Sequence, residues 1–153
     1  MKLGGYPNKN KFLFKKKNFF PSNNILLNGR SSFYLILNFL KPDLIHIPFY
    51  ICKDILSVLK EKKIKFKFYG LQKNLKPKKI ILKKKEFFLA VPYFGIIKLK
   101  QNKRSIFDLT TSFFYSKKKI IFFDSFRKFF YVNFGSFLSI NNELNLKNAL
   151  LSE

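Results

Sequence analysis

The fold turns on residues 44–69, LIHIPFYICKDILSVLKEKKIKFKFY. Leu44 to Pro48 is a short apolar run closed by proline and reads as a buried strand. Lys53 to Lys63 follows, with Ile55, Val58 and Leu59 spaced to share one side of a helix. Ile64 to Tyr69 then alternates apolar and basic residues, the period-two pattern of a strand with one solvated face. Upstream, SSFYLILNFLK from Ser31 reads as another helix, with Phe33, Leu37 and Leu40 on one face, Ser31 or Ser32 as N-cap and Pro42 as its stop. Downstream, residues 70–79 form a polar connection. Ile80 to Leu82, Glu86 to Val91, Ser105 to Asp108 and Ile120 to Phe123 read as strands, and Gly135 to Ile140 as a further one. This alternation predicts an α/β fold with a mixed, mostly parallel sheet.

Composition bounds what the chain can be. It has 153 residues, 47% of them hydrophobic and 22 of them phenylalanine, enough for one domain with a real core. Lys and Arg number 31 against 8 acids, a formal net charge of +23. That invites a nucleic-acid reading, because phosphate neutralisation drives non-specific binding. Two features argue against it. The excess is almost all lysine, with arginine only at positions 30, 104 and 127, and arginine is the residue that grips phosphate and guanine bidentately. Lys, Phe, Asn and Ile are enriched together, as A/T-rich codons would produce. The runs at 15–17, 83–85 and 117–119 then read as solvated surface.

A single cysteine, Cys52, and a single histidine, His46, leave no disulfide framework, no cysteine zinc site and no His-rich metal centre. The cysteine usage fits a reducing, cytoplasmic setting. No run reaches the roughly 18 apolar residues of a membrane span, and the basic, broken start lacks the apolar region of a secretory signal.

Four segments carry candidate chemistry. Asn28-Gly29-Arg30-Ser31-Ser32 sits at a helix start, where backbone N–H groups and hydroxyls can hold a phosphate. Leu44 to Cys52 runs a strand into a loop carrying Phe49 and Tyr50. Ser105-Ile106-Phe107-Asp108 places an acid at the C-terminal end of a buried strand, the edge where open α/β sheets bind ligands. Phe123-Asp124-Ser125-Phe126-Arg127-Lys128-Phe129-Phe130, followed by Gly135-Ser136, sets Lys128 between aromatic residues. An amine that loses solvation there becomes nucleophilic toward an aldehyde. Taken singly, each segment has an ordinary reading: an N-cap, core packing, a solvated strand end, one more surface lysine.

In this order the segments resemble the DegT/DnrJ/StrS family of PLP-dependent sugar aminotransferases. Further stretches add to the likeness: Gly4-Gly5-Tyr6, Leu27-Asn28-Gly29-Arg30, Ile47-Pro48-Phe49-Tyr50-Ile51-Cys52, Lys67-Phe68-Tyr69 and Pro92-Tyr93-Phe94-Gly95. The resemblance implies an aminotransferase-like (PLP fold type I) large domain over residues 29–140. An irregular segment, 1–28, would precede it. A short tail, 141–153, helical after Asn145, would follow, with the family's C-terminal small domain absent. It implies that Lys128 bonds the aldehyde of pyridoxal 5′-phosphate and that Asp108 pairs with the pyridine nitrogen. Arg30, Ser31 and Ser125 would hold the cofactor phosphate. Cys52 stands where many members place the aromatic that stacks on the ring, with Tyr50 as the nearby substitute. Thr111 stands where the family usually has glutamine, Asn133-Phe134-Gly135 replaces its Pro-Asp-Gly, and residues 95–104 are too few for a full crossover helix. The implied partners are a keto-sugar, an amino-acid donor, and a second copy or a separate chain that supplies the missing half. The implied function is keto-sugar amination by a truncated or degenerate copy. The other reading is a non-catalytic basic binding protein on the same scaffold.

Overall fold

A computed structural model describes residues 25–100, 102–115 and 120–140. The expectations for Gly4-Gly5-Tyr6, for the lysine run at 117–119 and for a helical tail after Asn145 lie outside them. Seven strands form one sheet in the order β1-β7-β6-β5-β4-β2-β3. In chain order they are β1 (Ile25–Leu26), β2 (Leu44–Pro48), β3 (Lys65–Tyr69), β4 (Glu86–Ala90), β5 (Ser105–Asp108), β6 (Ile121–Phe123) and β7 (Ser136–Ser139). Two helices, α1 (Gly29–Leu40) and α2 (Lys53–Glu61), flank β2 in sequence. Strands β3, β2, β4, β5 and β6 run parallel, and β7 is antiparallel to both β6 and β1. The fold is the expected α/β class with a mostly parallel sheet.

The centre of the sheet is as apolar as a parallel sheet covered on its faces requires. All four residues of β5 and all three of β6 are buried. The main core joins Phe33, Ile36 and Leu37 of α1 and Ile55, Val58 and Leu59 of α2 to Ile45, Ile47, Leu89, Ile106 and Phe123 of the sheet. The buried face of α2 is the triplet read from periodicity. His46 Nε2 lies 3.0 Å from Glu86 Oε2 across the β2–β4 pair, so the lone histidine belongs to sheet structure.

Four local expectations are corrected. Ile25–Leu26 is a strand, not irregular chain, because β7 presents it with an unpaired edge. The α1 N-cap is Asn28, whose Oδ1 accepts the Ser31 N–H at 3.0 Å. Ser31 donates its own hydroxyl to that same Asn28 oxygen, and the Ser32 hydroxyl is buried 2.7 Å from Ser136 Oγ. Residues 80–82 form no strand; β4, the next strand in the chain, pairs with β2 and β5 instead. The edge strand β3 leaves Phe68 half exposed, so neither of its faces is fully covered.

Candidate active site

The sheet reverses direction of travel at β2: the chain steps from β2 outward to β3, then returns to β4 on the other side. At such a switch point the strand ends open a crevice. The carboxyl ends of β5 and β6 border it. A cavity of about 340 Å³ there is lined by the α1 start (Asn28, Gly29, Arg30), by Cys52, by Asp108 and Thr110, and by Ser125 and Lys128. A second, of about 240 Å³, continues from it and shares Cys52, Asp108, Thr110 and Lys128. Tyr50, Val91, Tyr93 and Phe94 wall this second space.

Asp108 ends β5 and is only 3% exposed. Burial raises its carboxyl above the ordinary range; the Thr110 N–H, donated to Oδ1 at 2.9 Å, and the positive charge of Lys128 oppose that rise. The acid therefore sits where ionisation is costly, with one cation near enough to act on it. Burial likewise pushes the Tyr69 and Tyr93 phenols up, and the Asp108 charge adds to both shifts. Tyr69 donates to the Leu89 carbonyl at 2.8 Å and Tyr93 to the Tyr50 carbonyl at 2.6 Å. The Tyr93 bond and the 5.6 Å contact between the two rings hold the Tyr50 loop against the second cavity.

Lys128 closes a short 3-10 turn, Phe126–Lys128, directly after β6. It is exposed, contrary to the expectation of a lysine enclosed by aromatic rings. The rings around it in sequence turn away: Phe126, Phe129 and Phe130 all contact Phe113. Phe113 thus anchors the turn from below and leaves the lysine facing the cavity. Gly135 fits the same corner by necessity. Its φ is +118°, and a Cβ there would stand 2.6 Å from Phe126 Cδ2. Its N–H donates to the Leu27 carbonyl and its own carbonyl accepts from Phe126, both at 2.8 Å. At Gly29 a Cβ would lie 3.1 Å from the Asp124 carbonyl oxygen, so α1 starts in close contact with the chain leaving β6.

Of the residues singled out from sequence, Lys128, Asp108, Arg30, Ser125 and Cys52 line the first cavity, and Tyr50 lines the second. Ser31 lines neither; its hydroxyl is committed to the cap. Arg30 is exposed at the rim and Ser125 is buried. Sequence reasoning missed Thr110, whose signal is the two-residue offset of a turn amide folding back onto an aspartate. Thr111, noted from sequence only as standing in place of the family's glutamine, has its Oγ1 buried without a hydrogen-bond partner on the wall of the second cavity. Among the described residues no group of His, Cys, Asp and Glu could hold a metal ion, and no helix is long and apolar enough to cross a membrane.

No family profile matches this chain, and no curated protein does. Solved structures do. A sugar aminotransferase from Micromonospora echinospora superposes with a TM-score of 0.66 at 10% identity, over 83% of this chain and 43% of that one. A protein provisionally described as an aminotransferase from Burkholderia pseudomallei gives 0.59 at 11% identity, over 87% and 49%. One provisionally described as a sugar aminotransferase from Streptococcus pneumoniae, in its PLP form, gives 0.57 at 12% identity, over 82% and 43%. The chain has an aminotransferase-like fold and spans less than half the length of these structures.

Proposed function

We propose that the cavity at the end of β5 binds pyridoxal 5′-phosphate and that the chain serves amino-group transfer between an amino-acid donor and a keto-sugar. One observation carries the reading: Asp108, at the end of β5, and Lys128, on the turn after β6, line one cavity beside a helix start, and the lysine charge acts on the buried acid. The donor set fits the cofactor. It offers an amine for the aldehyde, a carboxyl for the ring nitrogen, and the α1 start with Arg30 and Ser125 for the phosphate. A space of about 340 Å³ is within the range of small-molecule sites, about 300–1,000 Å³.

When bound, the cofactor supplies an electron sink for the carbon that carries the amino group. The protein's residues do the rest. Asp108 would keep a proton or a positive charge at the ring nitrogen, a second cationic partner beside the Lys128 charge that acts on it. Lys128, on an exposed turn that borders both cavities, is placed to take and return a proton at Nζ. Arg30 balances the phosphate charge while the Asn28 cap keeps the α1 amides pointed at it. The second cavity takes the amino-acid or sugar, and the Tyr50–Tyr93 pair excludes water from its wall.

Exposed apolar side chains line the cavities, Phe134 the first and Tyr50 and Phe94 the second, with exposed Phe49 and Ile96 close to them in sequence. A second copy of the chain, or a separate chain, covers these side chains in the working protein. The direct test is borohydride reduction after incubation with pyridoxal 5′-phosphate, with the adduct located by peptide mass. Capture mainly at Lys128, lost in Lys128→Ala, supports the reading. Adducts scattered over surface lysines overturn it.

A further inference from the structure

A third, larger cavity of about 530 Å³ shares no lining residue with the site described above. Five lysines line it, Lys76, Lys78, Lys79, Lys98 and Lys100, and no acid does. Its floor is apolar: Ile80, Leu82, Phe88 and Leu99. Global lysine enrichment explains basic surface, but it does not explain a walled cleft with cations at the lip and hydrocarbon below.

Both walls are pinned. One is the 70–78 loop, closed by an antiparallel bridge between Leu71 and Pro77. The Gln72 N–H donates to the Lys76 carbonyl at 2.8 Å, and the Lys78 N–H to the Gly70 carbonyl at 3.0 Å. The chain then runs on through residues 79–83 without regular secondary structure. Ile80 and Leu82 line the cleft while Ile81 between them is 77% exposed. The Arg104 guanidinium donates to the carbonyls of Leu82 and Lys83 and ties down that end. The opposite wall is held by Tyr115, whose hydroxyl accepts the Leu99 N–H at 3.0 Å and donates to the Leu99 carbonyl. With Leu99 packed inward, Lys98 and Lys100 flank it at the cleft edge.

We propose that this cleft binds a nucleoside diphosphate or triphosphate, with the base on the apolar floor and the phosphates among the lysine ammonium groups. Lysines act as point charges on phosphate without the planar fork that arginine offers. Adjacent phosphates on one ligand suit several such charges around a single opening. A compact ligand is favoured because the cavity volume is that of a small-molecule site.

The test is calorimetric titration of the full chain with adenosine diphosphate, with adenosine, inorganic triphosphate and a single-stranded oligonucleotide as comparators. Adenosine diphosphate should bind about tenfold more tightly than adenosine or inorganic triphosphate alone, since only it uses both floor and rim. The double substitution Lys78→Gln, Lys98→Gln should weaken it by about tenfold. Lys60→Gln with Lys65→Gln removes the same charge from exposed positions elsewhere and should leave affinity unchanged. Equal losses in the two double variants, inorganic triphosphate binding as tightly as adenosine diphosphate, tighter binding of the oligonucleotide, or no binding at all would each overturn the proposal.

Discussion

Asp108 carries an unusual load for a single side chain. Burial raises its carboxyl, so the folded protein holds the proton more tightly than the unfolded chain does. The sign follows from linkage: stability is greatest below the unfolded value, near 3.8, and is lost as pH rises through the folded value. Asp108→Asn keeps an acceptor for the Thr110 N–H and removes the charge. In the cofactor-free protein it should melt higher than wild type at about pH 7, with the gap closing toward about pH 4. The same variant should bind pyridoxal 5′-phosphate more weakly, because the ring nitrogen loses its counter-charge. A lower melting temperature at neutral pH would mean that Asp108 is already neutralised by a partner in the fold. Gly135→Ala is the steric counterpart. Its Cβ would collide with Phe126 and sit at a φ that side chains avoid, so a loss of about 1–3 kcal/mol is expected from denaturant unfolding.

At the level of elements, the site depends on how α1 begins and how the turn after β6 is held. Asn28→Ala removes the side-chain acceptor that caps α1 and should cost about 1 kcal/mol in denaturant unfolding. It should also weaken cofactor capture, since the freed amides no longer share one direction. Ser31→Ala, whose hydroxyl serves only the cap, should have the smaller effect on capture. Phe113→Ala cuts the contacts to Phe126, Phe129 and Phe130 that fix the Lys128 turn. Borohydride labelling at Lys128 should then fall while the parallel core keeps its far-ultraviolet circular dichroism. Unchanged labelling would show that the turn is held by its other contacts alone. The helix α2 triplet, Phe33 and Leu37 of α1, and the strands from Leu44, Glu86 and Ser105 could be read directly, because their apolar spacing is local; on α1 the structure adds Ile36 and leaves Leu40 only partly buried. The two-residue β1 could not, since its only cause is a partner strand more than a hundred residues away. Residues 80–82 failed for a related reason: an apolar run becomes a strand only when a partner strand pairs with it, and local spacing does not name the partner.

For the whole molecule, the exposed apolar side chains at the cavities predict association. Sedimentation at rising concentration should show self-association that Phe94→Lys and Phe134→Lys together weaken, as both side chains are largely exposed and line the two adjoining cavities. A strictly monomeric chain would instead require a separate partner chain to cover them. The net charge of +23 opposes compaction and association at low salt, so the test belongs at moderate ionic strength.

The sequence by itself determined the α/β class and the order of most elements, and it put Asp108 and Lys128 forward as candidates. Apolar period and strand-end acids are written locally, and parallel strands need continuous hydrophobic runs. Tertiary structure alone decided that those two residues share a cavity, that Asn28 rather than a serine caps α1, and that Lys128 stands exposed with its aromatic neighbours turned toward Phe113. It also decided that lysines from two separate loops ring one apolar floor. Each of these depends on contacts between distant segments, and a chain's spacing carries no record of which distant segment will occupy the adjacent space.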